Sequence, residues 1–335
     1  MNSLTNKLIN SINIGIIGAA GYTGGELLRI VINHPNINIA FAHSKSQVGK
    51  PVYTTHTDLL GDTDLTFSGE EIQALLNKEN LQAIFLCSGH GESHKFLNEY
   101  TVPDTIKIID LSTDFRDESN GFIYGLPELQ KEKIKTATKI ANPGCFATSI
   151  QLAILPLAAA NLIKDDIHVS AVTGSTGAGQ SLSATTHFTW RNNNVSIYKA
   201  FTHQHLTEIK MSLGKLQNGF DKAVNFIPYR GDFTRGIMAN VYTRFEGSLN
   251  EANELYKSYY VSHPFTHVSE IPIDIKQVVN TNKGLIHLEV HDGQLLITSI
   301  IDNLTKGASG QAVQNLNLLF GLPEDTGLRL KAPAF

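Results

Sequence analysis

Cysteine is scarce: Cys87 and Cys145 are the only two in a chain of 335 residues. Two thiols cannot make a disulfide framework, and no Cys/His cluster has zinc-ligand spacing, so no metal site is expected. An excess of one charge is also missing. Lys plus Arg number 27 against 31 Asp plus Glu, a formal net charge of −4, which gives no reason to expect nucleic acid or an anionic membrane as partner. Long apolar runs are absent as well; the longest, Ala153–Ala160, is far short of the ~20 residues of a spanning helix. The opening MNSLTNKLINS has no apolar segment or cleavage signature, so the expected location is cytoplasmic. What the chain does have is 41% apolar and only 17% charged residues, enough for sizeable cores, at a length that suits two domains.

Strand and helix alternate through the first third. Ile12–Ile17 reads as a strand, Gly24–Asn33 as a helix, Ile37–Ala42 as a strand and Glu70–Asn77 as a helix. Ala83–Cys87 and Lys107–Leu111 read as buried strands. Past Cys145 the pattern changes. A helix is expected from about Phe146 to Asn161, with Pro156 as a kink or break. Strands follow at Ile167–Thr173, Ala223–Pro228, Ile237–Phe245, Gly284–His291 and Gln294–Asp302, interrupted by a helix around Asn250–Tyr260. A last helix, Ser309–Phe320, is stopped by Gly321 and Pro323. The expected class is α/β. A Rossmann-type doubly wound parallel sheet covers 1–146, an α+β domain with a mostly antiparallel sheet covers 147–305, and a C-terminal helix over 306–335 returns to the first domain. The open antiparallel sheet makes self-association expected, as a homodimer or homotetramer.

The first strand runs into Gly18-Ala19-Ala20-Gly21-Tyr22-Thr23-Gly24, a G-x-x-G-x-x-G loop. Glycines let the backbone turn tightly against a pyrophosphate, and the helix that follows offers unpaired N–H groups and a positive dipole end. Gly18, Ala20, Gly21, Tyr22, Thr23 and Gly24 are therefore candidate dinucleotide contacts. A carboxylate at the end of the second strand would select NAD, but His43-Ser44-Lys45-Ser46 stands there. The hydroxyl of Ser44 and the ammonium of Lys45 suit a 2′-phosphate, so NADPH/NADP⁺ is the expected cofactor.

Asn142-Pro143-Gly144-Cys145-Phe146 places the second cysteine behind a Pro-Gly turn and at the start of a helix. A helix N-terminus favours a thiolate, and its free N–H groups can hold an oxyanion. Cys87 ends the apolar AIFLC strand and reads as a buried residue. His203-Gln204-His205-Leu206-Thr207-Glu208 supplies two imidazoles and a carboxylate. Either His203 or His205 could act as acid and base; Glu208, one turn from His205, favours the latter.

The chain resembles the N-acetyl-γ-glutamyl-phosphate reductase family, a cousin of aspartate-semialdehyde dehydrogenase. The resemblance covers nearly the whole chain. It rests on GAAGYTG, Ser88-Gly89-His90-Gly91, Asp110 through Arg116, Tyr124 through Glu128, NPGC, Gly177-Ala178-Gly179, HxHxxE, Thr234-Arg235-Gly236 and Gln311 through Asn315. It implies NADPH-dependent reduction of a small-molecule acyl phosphate through a thioester on Cys145. It also implies that Ser88, Gly89 and Asn315 lie at the cofactor, and that Arg116, Asn142, Gly177 and Arg235 lie at the substrate. Ser88-Gly89, Phe146, Gly174–Gly177 and the Tyr229–Phe233 stretch depart from the family's usual residues, which leaves N-succinyl or carrier-bound aminoadipyl phosphate as alternatives to N-acetyl. A redox-sensing NADP-binding protein without turnover would leave HxHxxE without a role.

Overall fold

The computed structural model describes residues 11–333; residues 1–10, where no leader is read in the sequence, lie outside them. In chain order the first half comprises β1 (Ile12–Ile17), α1 (Tyr22–Val31), β2 (Ile37–His43), β3 (Phe67–Ser68), α2 (Ile72–Leu76), β4 (Ala83–Leu86), α3 (Glu92–Glu99), β5 (Lys107–Asp110), β6 (Ile123–Tyr124), α4 (Pro127–Thr136) and β7 (Lys139–Ala141). These strands form one seven-stranded sheet in the order β3-β2-β1-β4-β5-β7-β6, with every pairing parallel. Parallel strands need crossovers, and the helices supply apolar side chains to both faces. Leu27 and Leu28 of α1 join Ile134 of α4 in one cluster, whereas Leu75 of α2 and Phe96 of α3 line the other.

The second half comprises α5 (Cys145–Ala159), β8 (Ile167–Thr173), α6 (Phe188–Arg191), β9 (Ser196–Ile197), α7 (His205–Leu216), β10 (Val224–Arg230), β11 (Ile237–Arg244), α8 (Leu249–Tyr260), β12 (Thr266–Ser269), β13 (Gly284–His291), β14 (Gln294–Ile301) and α9 (Gly310–Leu319). Its sheet runs β12-β13-β14-β11-β8-β10-β9. Most pairings are antiparallel, but β8 with β10 and β12 with β13 are parallel. The β8–β10 link is a crossover through α7, a connection long enough to bring the chain back in the same direction. Helix α5 is apolar on all sides and buried accordingly, packing between this sheet and α7 and α8. Helix α9 places Ala312, Val313 and Leu316 in the core of the first sheet.

Pro156 does not break α5. The carbonyl it leaves without an intrahelical donor, Leu152 O, accepts the Tyr260 hydroxyl at 2.6 Å, so the helix continues to Ala159. No helix among the described residues is long and apolar enough to cross a membrane.

Candidate active site

The two sheets meet where β7 turns into α5. Gly144 is the residue before the helix, with φ −72° and ψ 152°, and Cys145 is the first helical residue. The first N–H groups of a helix have no intrahelical acceptor, and that of Phe146 points to the thiol. Gly307 leaves room for the nucleophile; a Cβ there would lie 2.8 Å from Cys145 Cβ.

Burial works against the thiolate that a helix N-terminus favours. Although the residue is only half-buried, burial of its thiol pushes it up to about 11, against the opposing pull of the Phe146 N–H and the Arg116 guanidinium. Attack therefore requires a base to take the proton. His205 opens α7 and is buried; burial first, then the charges of Arg116, His203, His90 and Lys199, holds it well below its ordinary value, so the imidazole is neutral. Its Nε2 stands over the catalytic turn: a Cβ on Gly144 would lie 2.3 Å from that nitrogen. His203 is placed differently. Its Nδ1 accepts the His205 N–H at 3.2 Å, its ring packs edge-on against Phe146 and Phe226, and burial pushes it down to about 4.

Glu208 does not hydrogen-bond His205, whose Nε2 is 3.8 Å from its Oε1. It organises the turn instead. Oε2 accepts the Gly144 N–H at 3.0 Å and the Tyr124 hydroxyl at 2.7 Å, and Oε1 accepts Arg116 Nη1 at 3.2 Å. Arg116 is further held by the carbonyls of Asn142 (2.9 Å) and Leu111 (3.2 Å), which sets its fork beside Gly144. Tyr124 joins this network and escapes sequence reasoning, because nothing local marks a buried tyrosine as the partner of a distant carboxylate.

Four expected contacts fall elsewhere. Arg235 forks onto Glu26 (2.9 and 2.9 Å) and Asp302 (2.9 and 3.0 Å), clamping α1 to the second sheet, so its donors are committed and it is not placed to hold substrate. Asn142 is buried; its Nδ2 donates to Ala308 O and its Oδ1 accepts from Asn315, so its side chain is a strut of the turn. Asn315 is fully buried beneath that turn, bonded to Gly125 O and Asn142 rather than lining the cofactor cleft. Gly177 is exposed, in a short turn after β8.

A cleft of about 450 Å³ opens at the carboxyl ends of β1, β2 and β4, where the strand order reverses. Gly18, Ala20, Gly21, Ser44, Lys45, Ser88 and Gly89 line it, and Tyr22, Thr23 and Gly24 form the helix start behind. Gly18 has φ +79°, and a Cβ there would meet the Cys87 carbonyl carbon at 2.9 Å, so the loop can pack this close to the end of β4 only as glycine. Gln180, from the second half of the chain, closes one side. No carboxylate ends β2. Cys87 is buried and its thiol pushed up to about 12, mainly by burial, consistent with an inert residue.

Comparison with known proteins bears on this geometry. A protein of Christiangramia forsetii named N-acetyl-gamma-glutamyl-phosphate reductase is 56% identical over 97% of this chain and all of its own. The chain belongs to the N-acetyl-gamma-glutamyl-phosphate reductase family. Like-named relatives from Bacteroides fragilis and Flavobacterium johnsoniae share 53% and 54% identity, each over 97% of this chain and all of their own. Family models described as "Semialdehyde dehydrogenase, NAD binding domain" and "Semialdehyde dehydrogenase, dimerisation domain" match residues 13–137 and 145–303. Among solved structures, aspartate semialdehyde dehydrogenase II from Vibrio cholerae superposes with a TM-score of 0.71 at 17% identity, covering 92% of this chain and 98% of its own. A Candida albicans aspartate semialdehyde dehydrogenase solved with NADP gives 0.69 at 12%, covering 92% and 99%. At such identities the two show a shared fold.

Proposed function

We propose that this reductase converts N-acetyl-γ-glutamyl phosphate to N-acetyl-glutamate 5-semialdehyde and phosphate, the step used in arginine biosynthesis, through a thioester on Cys145. The observation that carries the reading is the meeting, at one turn, of the Cys145 thiol, the buried His205 imidazole and the Arg116 guanidinium. His205 takes the thiol proton and the sulfur bonds to the acyl carbon. The C–O bond to phosphate breaks, and Arg116, an always-charged fork, holds the anionic end of the substrate as it departs. Backbone N–H groups at the start of α5 stabilise the oxyanion. Bound NADPH supplies the hydride that reduces the thioester. The C–S bond then breaks, the aldehyde forms, and His205 returns its proton to the sulfur. Glu208 holds Gly144, Tyr124 and Arg116 in place and touches no reacting atom.

The glycine loop and the cleft fit a dinucleotide, and Ser44 with Lys45 supports NADP over NAD because no carboxylate there would repel a 2′-phosphate. A homodimer or homotetramer is supported by the family description and by exposed Leu182, Phe188, Val195, Ile197 and Phe201 near edge strand β9. The matches to 13–137 and 145–303 support a division near residue 146, within the reading 1–146, 147–305 and 306–335, and the packing of α9 in the first sheet's core supports the return of the last segment. Mixing the enzyme with acyl phosphate while withholding NADPH, followed by mass spectrometry, should find one N-acetyl-glutamyl adduct on Cys145. No adduct, together with full turnover in Cys145→Ser, would end the proposal.

A further inference from the structure

The arginines near the site differ in what holds them. Arg116 faces Glu208, and Arg235 faces Glu26 and Asp302. Arg191 has a buried Nε without an acceptor, but both of its terminal nitrogens are held, by the carbonyls of Asn194 and Arg230 and by Ser196. Arg230, the last residue of β10, has no carboxylate partner among the described residues, and its buried Nε has no hydrogen-bond acceptor. Asp232, two residues on, is turned to the Asn193 N–H at 2.7 Å. A buried donor without a partner is costly unless a ligand supplies one.

The strand register says which way that donor faces. Alternation puts Phe226, Pro228 and Arg230 on one face of β10. On that face Phe226 packs 5.2 Å from Phe146, the neighbour of the nucleophile, and 5.4 Å from His203. Tyr198 belongs to the same wall: its ring is 5.8 Å from that of His203, and its N–H bonds to Pro228 O at 3.2 Å. The Arg230 guanidinium lies 4.6 Å over the Tyr198 ring. Stacking fixes the plane of the guanidinium and leaves its edge free for a forked pair. Cys145 and Tyr198 pack against the same apolar cluster, which sets this wall beside the nucleophile, and burial pushes the Tyr198 phenol up to about 12 against the opposing pull of Arg230.

We propose that Arg230 binds a carboxylate of the substrate against the face of Tyr198 and thereby sets which acyl-glutamyl compound is accepted. The inference rests on the acyl-phosphate reading above and adds a recognition residue that the chemistry itself does not require. The carboxylate is either the α-carboxylate shared by all N-acyl-glutamyl phosphates or one carried on the acyl group. Arg230→Leu and Arg230→Lys are compared with wild type in the phosphate-dependent oxidation of N-acetyl- and N-succinyl-glutamate 5-semialdehyde by NADP⁺, alongside thermal unfolding. In Arg230→Leu, KM should rise about 10- to 100-fold with kcat within about threefold, the signature of lost ground-state binding. Arg230→Lys should recover part of the loss, keeping charge but not the fork. A rise with both substrates assigns the α-carboxylate, and a rise with the succinyl compound alone assigns the acyl carboxylate; both uphold the proposal. KM within about twofold of wild type for both substrates overturns it, and Arg230→Lys decides by the same criterion if Arg230→Leu does not fold. Wild-type enzyme inactive on both would instead bring down the acyl-phosphate reading, and this inference with it.

Discussion

Gly144→Ala tests the catalytic turn with one methyl group. Its φ of −72° and ψ of 152° are open to alanine, so the backbone is not strained and the N–H to Glu208 is kept. The added Cβ would lie 2.3 Å from His205 Nε2, 2.6 Å from His205 Cε1 and 2.7 Å from Arg116 Nη1. Contact distances between such atoms are about 3.5 Å, so something must move by roughly 1 Å. Arg116 is held by three hydrogen bonds, whereas His205 Nδ1 has no partner and Nε2 has only the 3.8 Å approach to Glu208. The imidazole yields first. Misplacing a base by ~1 Å costs on the order of 100-fold in rate, and the overpacking costs about 1–3 kcal/mol of stability. The assay is kcat for phosphate-dependent oxidation of N-acetyl-glutamate semialdehyde, with thermal unfolding and NADPH binding measured by fluorescence. Affinity for NADPH should hold within about twofold, since Gly144 is not part of the cofactor cleft lining. A kcat within about threefold of wild type would refute the placement of His205 over this turn.

Four further outcomes follow from the same structure. With its thiol near 11, Cys145 of the ligand-free enzyme is thiolate only to the order of 10⁻³ at pH 8, so iodoacetamide alkylation should keep accelerating through pH 9; a plateau below pH 8 would point to a thiolate–imidazolium pair. Glu26, buried but paired with Arg29 and Arg235, is lowered from 4.5 to about 2, so its stabilisation is complete above pH about 4.5 and is lost as pH falls towards 2, about 3 kcal/mol in all. Arg235→Met, which leaves buried Asp302 unpaired and removes one of Glu26's partners, should lower the unfolding free energy by about 3–5 kcal/mol and flatten that acid dependence; an unchanged urea midpoint would dismiss the clamp. Lys45→Glu should cut the NADPH-over-NADH preference at least about tenfold, and an unaltered ratio would remove Lys45 from the 2′-phosphate.

Features set by near neighbours are legible in the amino-acid order alone. The glycine loop between β1 and α1, and the Pro-Gly turn ahead of Cys145, each depend on a few adjacent residues whose backbone freedom can be read directly. Strands β3, β6 and β7 are not legible in that way, because two or three residues carry no periodicity. Partners far away in sequence are the harder case. An arginine fork suits phosphate and carboxylate equally, so nothing local distinguishes Arg116 at the nucleophile from Arg235 at an ion-pair clamp. Asn142 and Asn315 enter through the family pattern, and only their mutual hydrogen bond shows them to be scaffolding. The continuation of α5 past Pro156 depends on a hydroxyl from α8, which no rule about proline contains.

Glu208 belongs to the second half of the chain, yet its carboxylate accepts the N–H that opens the nucleophile's helix and a hydroxyl from β6. Because α5 and α7 share one core, Cys145, His205 and Glu208 travel together, and any parting of the two halves would cost that carboxylate the Tyr124 hydroxyl and the Arg116 guanidinium. Base and sulfur stay beside each other whether the cleft is open or shut.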